Sequence, residues 1–273
     1  MPELPEVETV KETLRNLVLH KRIKNVIVFY PNIIANPALK EFMEEIKGEV
    51  ICDIQRRGKW LIFELNNYYL LSHLRMEGKY IIRKNKDEYE KHEHVIFSFD
   101  DNTELRYKDT RKFGRMHLVK KEDIKDYKIM QEIGYEPWDS NLTGQYLLEK
   151  YKNRKLPIKT ALLDQSIIAG IGNIYADEIL FLCHINPLKE CGKINREEAM
   201  NIILYTKKIL EKAIESGGTT IRSYESGEGV HGRFQQELLI HNKAHSLCPT
   251  CSAEIMKTTV GGRGTYYCPI CQK

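Results

Sequence analysis

Several things are missing from this chain of 273 residues, and each absence narrows what it can be. No apolar run approaches the ~18 residues needed to span a bilayer. The opening MPELPEVETV has neither the basic start nor the apolar stretch of an export signal. A cytoplasmic protein is therefore expected, with no membrane partner. There is no internal repeat. Charge of one sign is scarce, because 42 Lys and Arg against 38 Asp and Glu leave a net +4, too little in itself to mark a nucleic-acid binder. The seven cysteines are an odd number, and without an export signal they argue against a disulfide framework. With 42% hydrophobic and 29% charged residues, collagen-like, coiled-coil and disordered classes are excluded and a packed core is feasible.

What is present divides into two textures. Val7, Val10, Leu14, Leu17 and Val18 recur at helical spacing and predict an amphipathic helix over Pro5 to Leu19, with acids Glu6 and Glu8 at its start. Strand patterns then take over: Val26 to Tyr30, Trp60 to Leu65 and Tyr68 to Leu74 joined at Asn66 and Asn67, and His94 to Phe99 paired with Glu104 to Tyr107. A short helix is expected around Pro37 to Ile46. The turn-rich YEPWDSN, from Tyr135 to Asn141, ends this mostly β half. Helices are expected after it at Thr143 to Tyr151, Ile158 to Leu163, Ile174 to Cys183 and Asn195 to Ile214. A polar, glycine-rich loop is expected over 216–237. The organisation expected is an α+β chain with domains at 1–134, 135–240 and 241–273.

The strongest spacing signal lies at the end. Cys248-Pro-Thr-Cys251 and Cys268-Pro-Ile-Cys271 are two C-x2-C pairs with sixteen residues between them. Each pair can grip one zinc ion from a tight turn, and the spacer accommodates a hairpin between the knuckles. Four thiolates leave no open coordination position, so one structural zinc ion is expected. Within the spacer, Gly261-Gly262-Arg263-Gly264 combines a backbone that can approach a phosphate with a guanidinium that can fork onto it. The scattered Cys52, Cys183 and Cys191 read as small hydrophobes.

Basic residues cluster at Arg56, Arg57 and Lys59, at Arg75 and Lys79, and at Lys108, Arg111, Lys112 and Arg115. Any one cluster fits a charge-protected strand edge, while three together favour a nucleic-acid surface. Phe113 beside Arg111 supplies an apolar wedge next to a planar donor, and Met76 beside Arg75 offers a second wedge or core filler. The segment Leu162 to Leu180 holds two helical ends bridged by Ala169-Gly170-Ile171-Gly172. Asn173 there fits either a helix cap or a phosphate-binding helix start. At the N-terminus, Pro2 would carry a secondary amine once Met1 is removed. With a pKa near ~7.7–8.0, part of it is neutral and able to attack an electrophilic carbon. Glu3 and Glu6 are close enough in sequence to serve as acid or base, although acids and proline also simply begin helices.

Taken together, PELPEVE at the start, RRGKW at 56–60, SHLRMEGK at 72–79, DTRKFG at 109–114, LLDQSIIAGIGNIYADE and the CPTC and CPIC pairs resemble bacterial formamidopyrimidine-DNA glycosylase. The resemblance runs in order from residue 2 to residue 271. It implies an N-terminal β-sandwich flanked by helices, a C-terminal helix-two-turn-helix bundle with a four-cysteine zinc finger, and DNA in the cleft between them. It further implies a monomeric, nucleoid-associated repair enzyme that excises oxidised purines, 8-oxoguanine and formamidopyrimidines, from double-stranded DNA. Strand cleavage by β,δ-elimination would follow.

By that resemblance, Pro2 is the nucleophile, Glu3 the acid that assists sugar ring opening, and Lys59 the lysine at the DNA phosphate. Met76, Arg111 and Phe113 fill the gap left by the extruded nucleotide, with Arg111 facing the estranged cytosine. Asn173 and Arg263 bind phosphate, as do His73 and Lys159, and residues 217–237 form a lid over the flipped base. An extruded base calls for such wedges, since flipping costs a few kcal/mol. Two features depart from the family pattern. His241-Asn242-Lys243 stands where an aromatic-Gly-basic turn is common, and Met1 precedes Pro2, so its removal is expected. The alternatives are an endonuclease VIII-like enzyme for oxidised pyrimidines and a non-catalytic DNA-binding relative. Leu4 and Arg111-Lys112-Phe113 favour the purine enzyme, and intact Pro2, Glu3 and Lys59 favour catalysis.

Overall fold

A computed structural model describes residues 1–85, 87–219 and 233–273. The expected 217–237 lid therefore falls largely outside the described residues. The described chain divides into two compact units, Met1–Gln131 and a second comprising Glu132–Thr219 with Arg233–Lys273.

The first unit opens with helix α1 (Leu4–Val18), whose Leu4, Val7, Val10, Leu14 and Val18 are buried as the periodicity requires. Glu3 caps it, and Glu6 Oε2 accepts the Glu3 backbone N–H at 2.9 Å, closing a capping box. There follow β1 (Ile23–Val28), β2 (Ile34–Asn36), helix α2 (Leu39–Glu45), β3 (Asp53–Arg57), β4 (Trp60–Glu64), β5 (Tyr68–His73), β6 (Lys79–Lys84), β7 (Glu93–Phe99), β8 (Thr103–Lys108) and β9 (Arg115–Lys120). They form a four-stranded sheet ordered β1-β7-β8-β6 and a five-stranded sheet ordered β2-β9-β5-β4-β3. All pairings in the two sheets are antiparallel except β2 with β9. One continuous core joins Val26, Val95, Phe97 and Leu105 of the first sheet to Leu61, Phe63, Leu70 and Met116 of the second. Val7, Val10 and Leu14 of α1 seal it. This is a β-sandwich flanked by helices, stabilised mainly by apolar burial at ~25 cal/mol per Å².

Helix α3 (Lys128–Glu132) lies at the division between units. The second unit then contains α4 (Gly144–Tyr151), α5 (Ile158–Leu162), α6 (Asn173–Leu182), α7 (Arg196–Glu215) and the hairpin of β10 (Met256–Val260) with β11 (Arg263–Tyr267). Thr143 caps α4 by accepting the Tyr146 N–H at 3.1 Å. Asn195 caps α7, with Glu198 completing a capping box. Helix α6 departs from expectation. Gly172 is its cap and Asn173 its first residue, and the Asn173 side chain reaches the hairpin instead of capping, its Nδ2 donating to Gly264 O at 3.0 Å. The AGIG bridge is held by one side chain, Gln165. Its Nε2 donates to Leu163 O and Ile171 O, and its Oε1 accepts the Gly170 N–H. Where α7 ends, Ser216 O accepts the Arg233 N–H and Gly218 O the Phe234 N–H, each at 3.0 Å. Both ends of the 217–237 segment are thus tied to the second unit. Among the described residues, no helix is long and apolar enough to cross a membrane.

Candidate active site and nucleic-acid contacts

In the first unit, Pro2 and Glu3 are buried and lead into α1. Strands β3 and β4 are joined by the two-residue turn Gly58-Lys59, with Gly58 at φ 56°. Arg56 ties this turn to the start of α1. Its Nε donates to Glu8 at 2.6 Å and its Nη1 to Gly58 O at 3.0 Å. Burial works against the Glu8 charge, but hydrogen bonds from Lys11 and Arg56 hold its carboxyl below the usual range. Lys59, only 5% exposed, is therefore presented on a turn clamped to the first turns of α1, the helix that Pro2 and Glu3 begin.

His73, at the end of β5, pairs with Trp60 across the sheet, and the two rings meet edge to face at 4.8 Å. Its Nδ1 accepts the Arg75 N–H at 2.9 Å, which places the proton on Nε2. Burial, reinforced by the charges of Arg75 and Lys59, drops its pKa from 6.5 to about 3, so at neutral pH it is a neutral donor. His117, on the same sheet, is likewise lowered to about 4 by burial and by Arg115 and Arg75, and its Nδ1 meets Tyr127 Oη at 2.8 Å. The unfolded chain protonates these imidazoles near 6.5 whereas the folded one refuses the proton. Their contribution to stability is complete above pH 6.5 and is lost as pH falls toward 3–4. His73→Gln should flatten the acid limb of a urea-denaturation series below pH 6.5, by at most ~1.4 kcal/mol per pH unit. An unchanged acid limb would show that burial does not control this histidine.

Met76 sits on the turn between β5 and β6, where Arg75 adopts φ 53°. Arg111 and Phe113 sit on the turn between β8 and β9. The Arg111 guanidinium lies over the Phe113 ring at 4.8 Å, and Phe113 is 47% exposed. A wedge and a planar donor are thus both offered to solvent. Asp109, which sequence reasoning passed over, organises this loop. It is buried, and its carboxylate accepts the Arg111 N–H at 3.0 Å and the Gly114 N–H at 2.8 Å. An aspartate two residues before a basic turn is a recognisable turn signature.

The remaining candidates belong to the second unit. Val260 pairs with Arg263 across the two-residue turn Gly261-Gly262, whose positive φ values of 55° and 73° suit glycine, and the turn leaves Arg263 exposed. Two side chains converge on the next carbonyl, Gly264 O: Asn173 Nδ2 and Lys159 Nζ, each at 3.0 Å. Lys159 is completely buried, and its ammonium also donates to Asp177 Oδ1 at 2.7 Å and Thr265 Oγ1 at 2.8 Å. Three protons are directed at three protein acceptors, so Lys159 is built as an internal strut and a phosphate could reach it only by displacing one of them. Lys159→Met would take the ammonium from the buried Asp177 carboxylate, leaving it the His241 Nδ1 contact, and should cost about 3 kcal/mol of stability in urea denaturation. Full stability with weakened DNA binding would instead mark Lys159 as a surface ligand.

The departure at His241-Asn242-Lys243 is accommodated locally. His241 Nδ1 lies 2.7 Å from Asp177 Oδ2, and its ring packs on Tyr266 at 5.1 Å. Glu178 accepts the backbone N–H groups of Leu239, Ile240 and His241. Asn242 takes φ 62° where a glycine is common, and its Oδ1 accepts Tyr266 Oη–H at 3.2 Å. No sequence signal links the neighbours Asp177 and Glu178 of α6 to His241, which lies 64 and 63 residues further on in the turn before the hairpin.

The four cysteines close around one point. Their sulfurs lie within 4.8 Å of one another, with Cys248–Cys271 at 3.8 Å and Cys251–Cys268 at 3.5 Å. Zinc–sulfur bonds of ~2.3 Å at tetrahedral angles separate sulfurs by ~3.8 Å, so the donor set fits one zinc ion. The Cys271 N–H donates to Cys268 Sγ at 3.4 Å, orienting that ligand. Ile240, Ile255, Tyr266 and Phe181 pack around the knuckles. With every position taken by cysteine, the ion is structural.

The sequence matches the profile of the formamidopyrimidine-DNA glycosylase N-terminal domain over residues 1–116, of that enzyme's H2TH domain over 133–225, and of the zinc finger found in FPG and IleRS over 246–273. A formamidopyrimidine-DNA glycosylase of Bacillus cereus is 48% identical over 273 residues, covering 100% of this chain and 99% of its own. The one from Oceanobacillus iheyensis is 46% identical over the same length, covering 98% of its own. The Lactococcus lactis Fpg in complex with abasic-site DNA superposes with a TM-score of 0.91 at 37% identity, covering 99% of each chain. A point mutant of that protein bound to Fapy-dG DNA gives 0.93 at 38%, covering 100% of each. With this identity sustained over the whole length, the chain belongs to the formamidopyrimidine-DNA glycosylase family.

Proposed function

We propose that this chain excises oxidised purines, 8-oxoguanine and formamidopyrimidines, from duplex DNA and then cleaves the strand at the resulting abasic site. The observation that carries this reading is the clamp between the start of α1 and the Gly58-Lys59 turn. It keeps a buried Pro2 and Glu3 on the helix that a buried lysine is held against.

In this reading the freed Pro2 nitrogen attacks C1′ of the extruded nucleotide and the bond from C1′ to the base nitrogen breaks, the base leaving in protonated form with the proton that the attacking amine gives up. Glu3 delivers a proton to the ring oxygen as the sugar opens, and the nitrogen lone pair completes an iminium at C1′. The iminium acidifies the C2′ proton. Its removal expels the 3′ phosphate by β-elimination, and a second elimination expels the 5′ phosphate. Water then hydrolyses the iminium, releasing the sugar remnant as an aldehyde and restoring the amine. Lys59 and the neutral Nε2–H of His73 supply donors for the flanking phosphates, while Met76, Arg111 and Phe113 fill the vacated stack. Asn173 and Arg263 hold backbone phosphate from the second unit. Lys159 supports them by pinning the Gly264 carbonyl beside Arg263. Zinc supplies only the scaffold of that hairpin.

The expectation of oxidised purines over oxidised pyrimidines rests on Leu4 and on Arg111-Lys112-Phe113. It is tested with duplexes carrying 8-oxoguanine opposite cytosine beside duplexes carrying an oxidised pyrimidine, with wild type beside Pro2→Gly. Preferred excision of 8-oxoguanine, with a borohydride-trapped adduct, supports the reading. Equal turnover of both lesions refutes the substrate, and excision without a trapped adduct refutes the iminium route.

A further inference from the structure

The loop carrying Met76 and the loop carrying Arg111 and Phe113 are separate in sequence, yet both rest on one atom. Tyr107, on β8, is fully buried and stacks edge to face on Tyr80 at 5.2 Å, and Tyr80 in turn donates to Ser72 Oγ at 2.7 Å. The Tyr107 hydroxyl lies between two glycines. A Cβ added to Gly78, which closes the Met76 loop, would come 2.1 Å from it, and one added to Gly114, which closes the Phe113 loop, would come 1.8 Å from it. Real carbons do not approach so closely, so both backbones are packed against the phenol as tightly as glycine alone permits.

The hydroxyl is also anchored. It donates to Asp109 Oδ2 at 3.5 Å, the oxygen that accepts the Gly114 N–H at 2.8 Å. The Asp109 backbone is fixed in turn, its N–H donating to His92 O and its carbonyl accepting His94 Nε2–H, each at 3.0 Å. On the other side, the Gly78 N–H donates to Leu74 O at 2.9 Å, closing the Met76 turn. With the ring wedged in the core, a shift of either glycine backbone presses on the same phenol.

We propose that the Tyr107 hydroxyl, backed by Asp109, is a positioning hub that sets Met76 against Arg111 and Phe113 and thereby governs discrimination of the base opposite the lesion. The inference rests on the void-filling roles proposed above for those three side chains. Three groups on two loops must enter the duplex together, and a misplacement of ~1 Å in such an arrangement can cost on the order of a hundredfold in rate. Tyr107 and Asp109 are buried beneath the two loops, so the role assigned to them is exerted through the loops.

The test compares excision of 8-oxoguanine opposite cytosine and opposite adenine for wild type, Arg111→Ala, Gly78→Ala and Tyr107→Phe. Cleavage of a preformed abasic site in single-stranded DNA, which has no opposite base and no void, serves as the reference. Gly78→Ala alters the loop without Arg111, yet it should lower the cytosine-to-adenine ratio about fivefold or more, as should Tyr107→Phe. Single-strand cleavage should stay within about twofold of wild type. If Gly78→Ala is poorly folded, Tyr107→Phe, which adds no atom, carries the test. A ratio lost in Arg111→Ala but retained in Gly78→Ala and Tyr107→Phe overturns the hub alone. A wild-type ratio in Arg111→Ala overturns the role of Arg111 and the hub with it. Equal losses on every substrate, single-stranded included, reduce Tyr107 to a core residue and overturn the proposal.

Discussion

A form of this protein joined through Met1 to an uncleaved tag should give no borohydride-stable adduct with abasic DNA. It should release 8-oxoguanine about 10³-fold or more slowly than the same chain freed to begin at Pro2. The reason is electronic. In the tagged form the Pro2 nitrogen is an amide whose lone pair is delocalised into the preceding carbonyl. In the freed form it is a secondary amine with a pKa near ~7.7–8.0. The geometry is compatible with that change, because Met1 is 43% exposed whereas Pro2 and the residues that follow it are buried, so removing Met1 strips a surface residue and leaves α1 in place. Since only the unprotonated amine attacks, the rate of the freed chain should rise with pH until it levels off above ~8. Glu3→Gln separates the two roles at the N-terminus. It keeps the amine and removes the acid, so a slowed reaction, by about 10²–10⁴-fold, should still proceed through a trappable adduct. The decisive measurement is intact mass on an active preparation: full activity with Met1 retained would sink the Pro2 mechanism.

How much of this molecule could be read beforehand depended on whether the determining interactions were local. Helices α1, α4 and α7 were legible because periodicity, Thr143 and Asn195 mark them within a single window of sequence. Strands β2, β3, β6 and β9 were not anticipated; the first three are sheet edges, while β9 lies between β2 and β5 and opens and closes on the charged residues Arg115 and Lys120. Edge strands such as Asp53–Arg57 and Lys79–Lys84 carry the charge that keeps an exposed ladder from pairing further, and that charge hides the strand pattern. Arg106 shows the converse. It reads as surface charge on β8 but is fully buried, bridging Glu93 and Glu104 and donating to the Asp87 and Glu88 carbonyls. The zinc cysteines were legible to the residue because their spacing is the chemistry. By contrast, Lys159 and its partner Asp177 are 18 residues apart and Lys159 and Thr265 are 106 apart, so only the folded chain reveals why a lysine is buried there. The Tyr107 hub was invisible for a related reason. A tyrosine in a strand looks like core, and its meaning lies in two glycines that approach it from different loops.

Removal of the zinc ion, by a chelator or by Cys268→Ser, should unfold the β10–β11 hairpin and weaken DNA binding about 10²-fold, while the β-sandwich keeps its own transition. The local core around the knuckles holds only six buried residues, Phe181, Ile240, Cys248, Ile255, Tyr266 and Cys268, and a lone two-stranded hairpin is marginal in water. Structural zinc in finger-sized units contributes about 10–16 kcal/mol that is also folding free energy, so without the ion the hairpin has little left to hold it. The damage then travels by a defined route. Once the hairpin opens, Gly264 O and Thr265 Oγ1 leave Lys159, whose buried ammonium faces Asp177 without them, and Asn173 loses the acceptor that orients its amide. Arg263 is lost directly, and α5 and α6 are loosened through Lys159 and Asn173. The sandwich is spared because its core, built from α1 and two sheets, contains none of these residues. Metal release followed colorimetrically, with far-UV circular dichroism and DNA titration on the same sample, tests the chain of events. Full zinc loss with unchanged DNA affinity would show that Arg263 and Asn173 do not depend on the ribbon, and would leave the convergence on Gly264 O without a functional consequence.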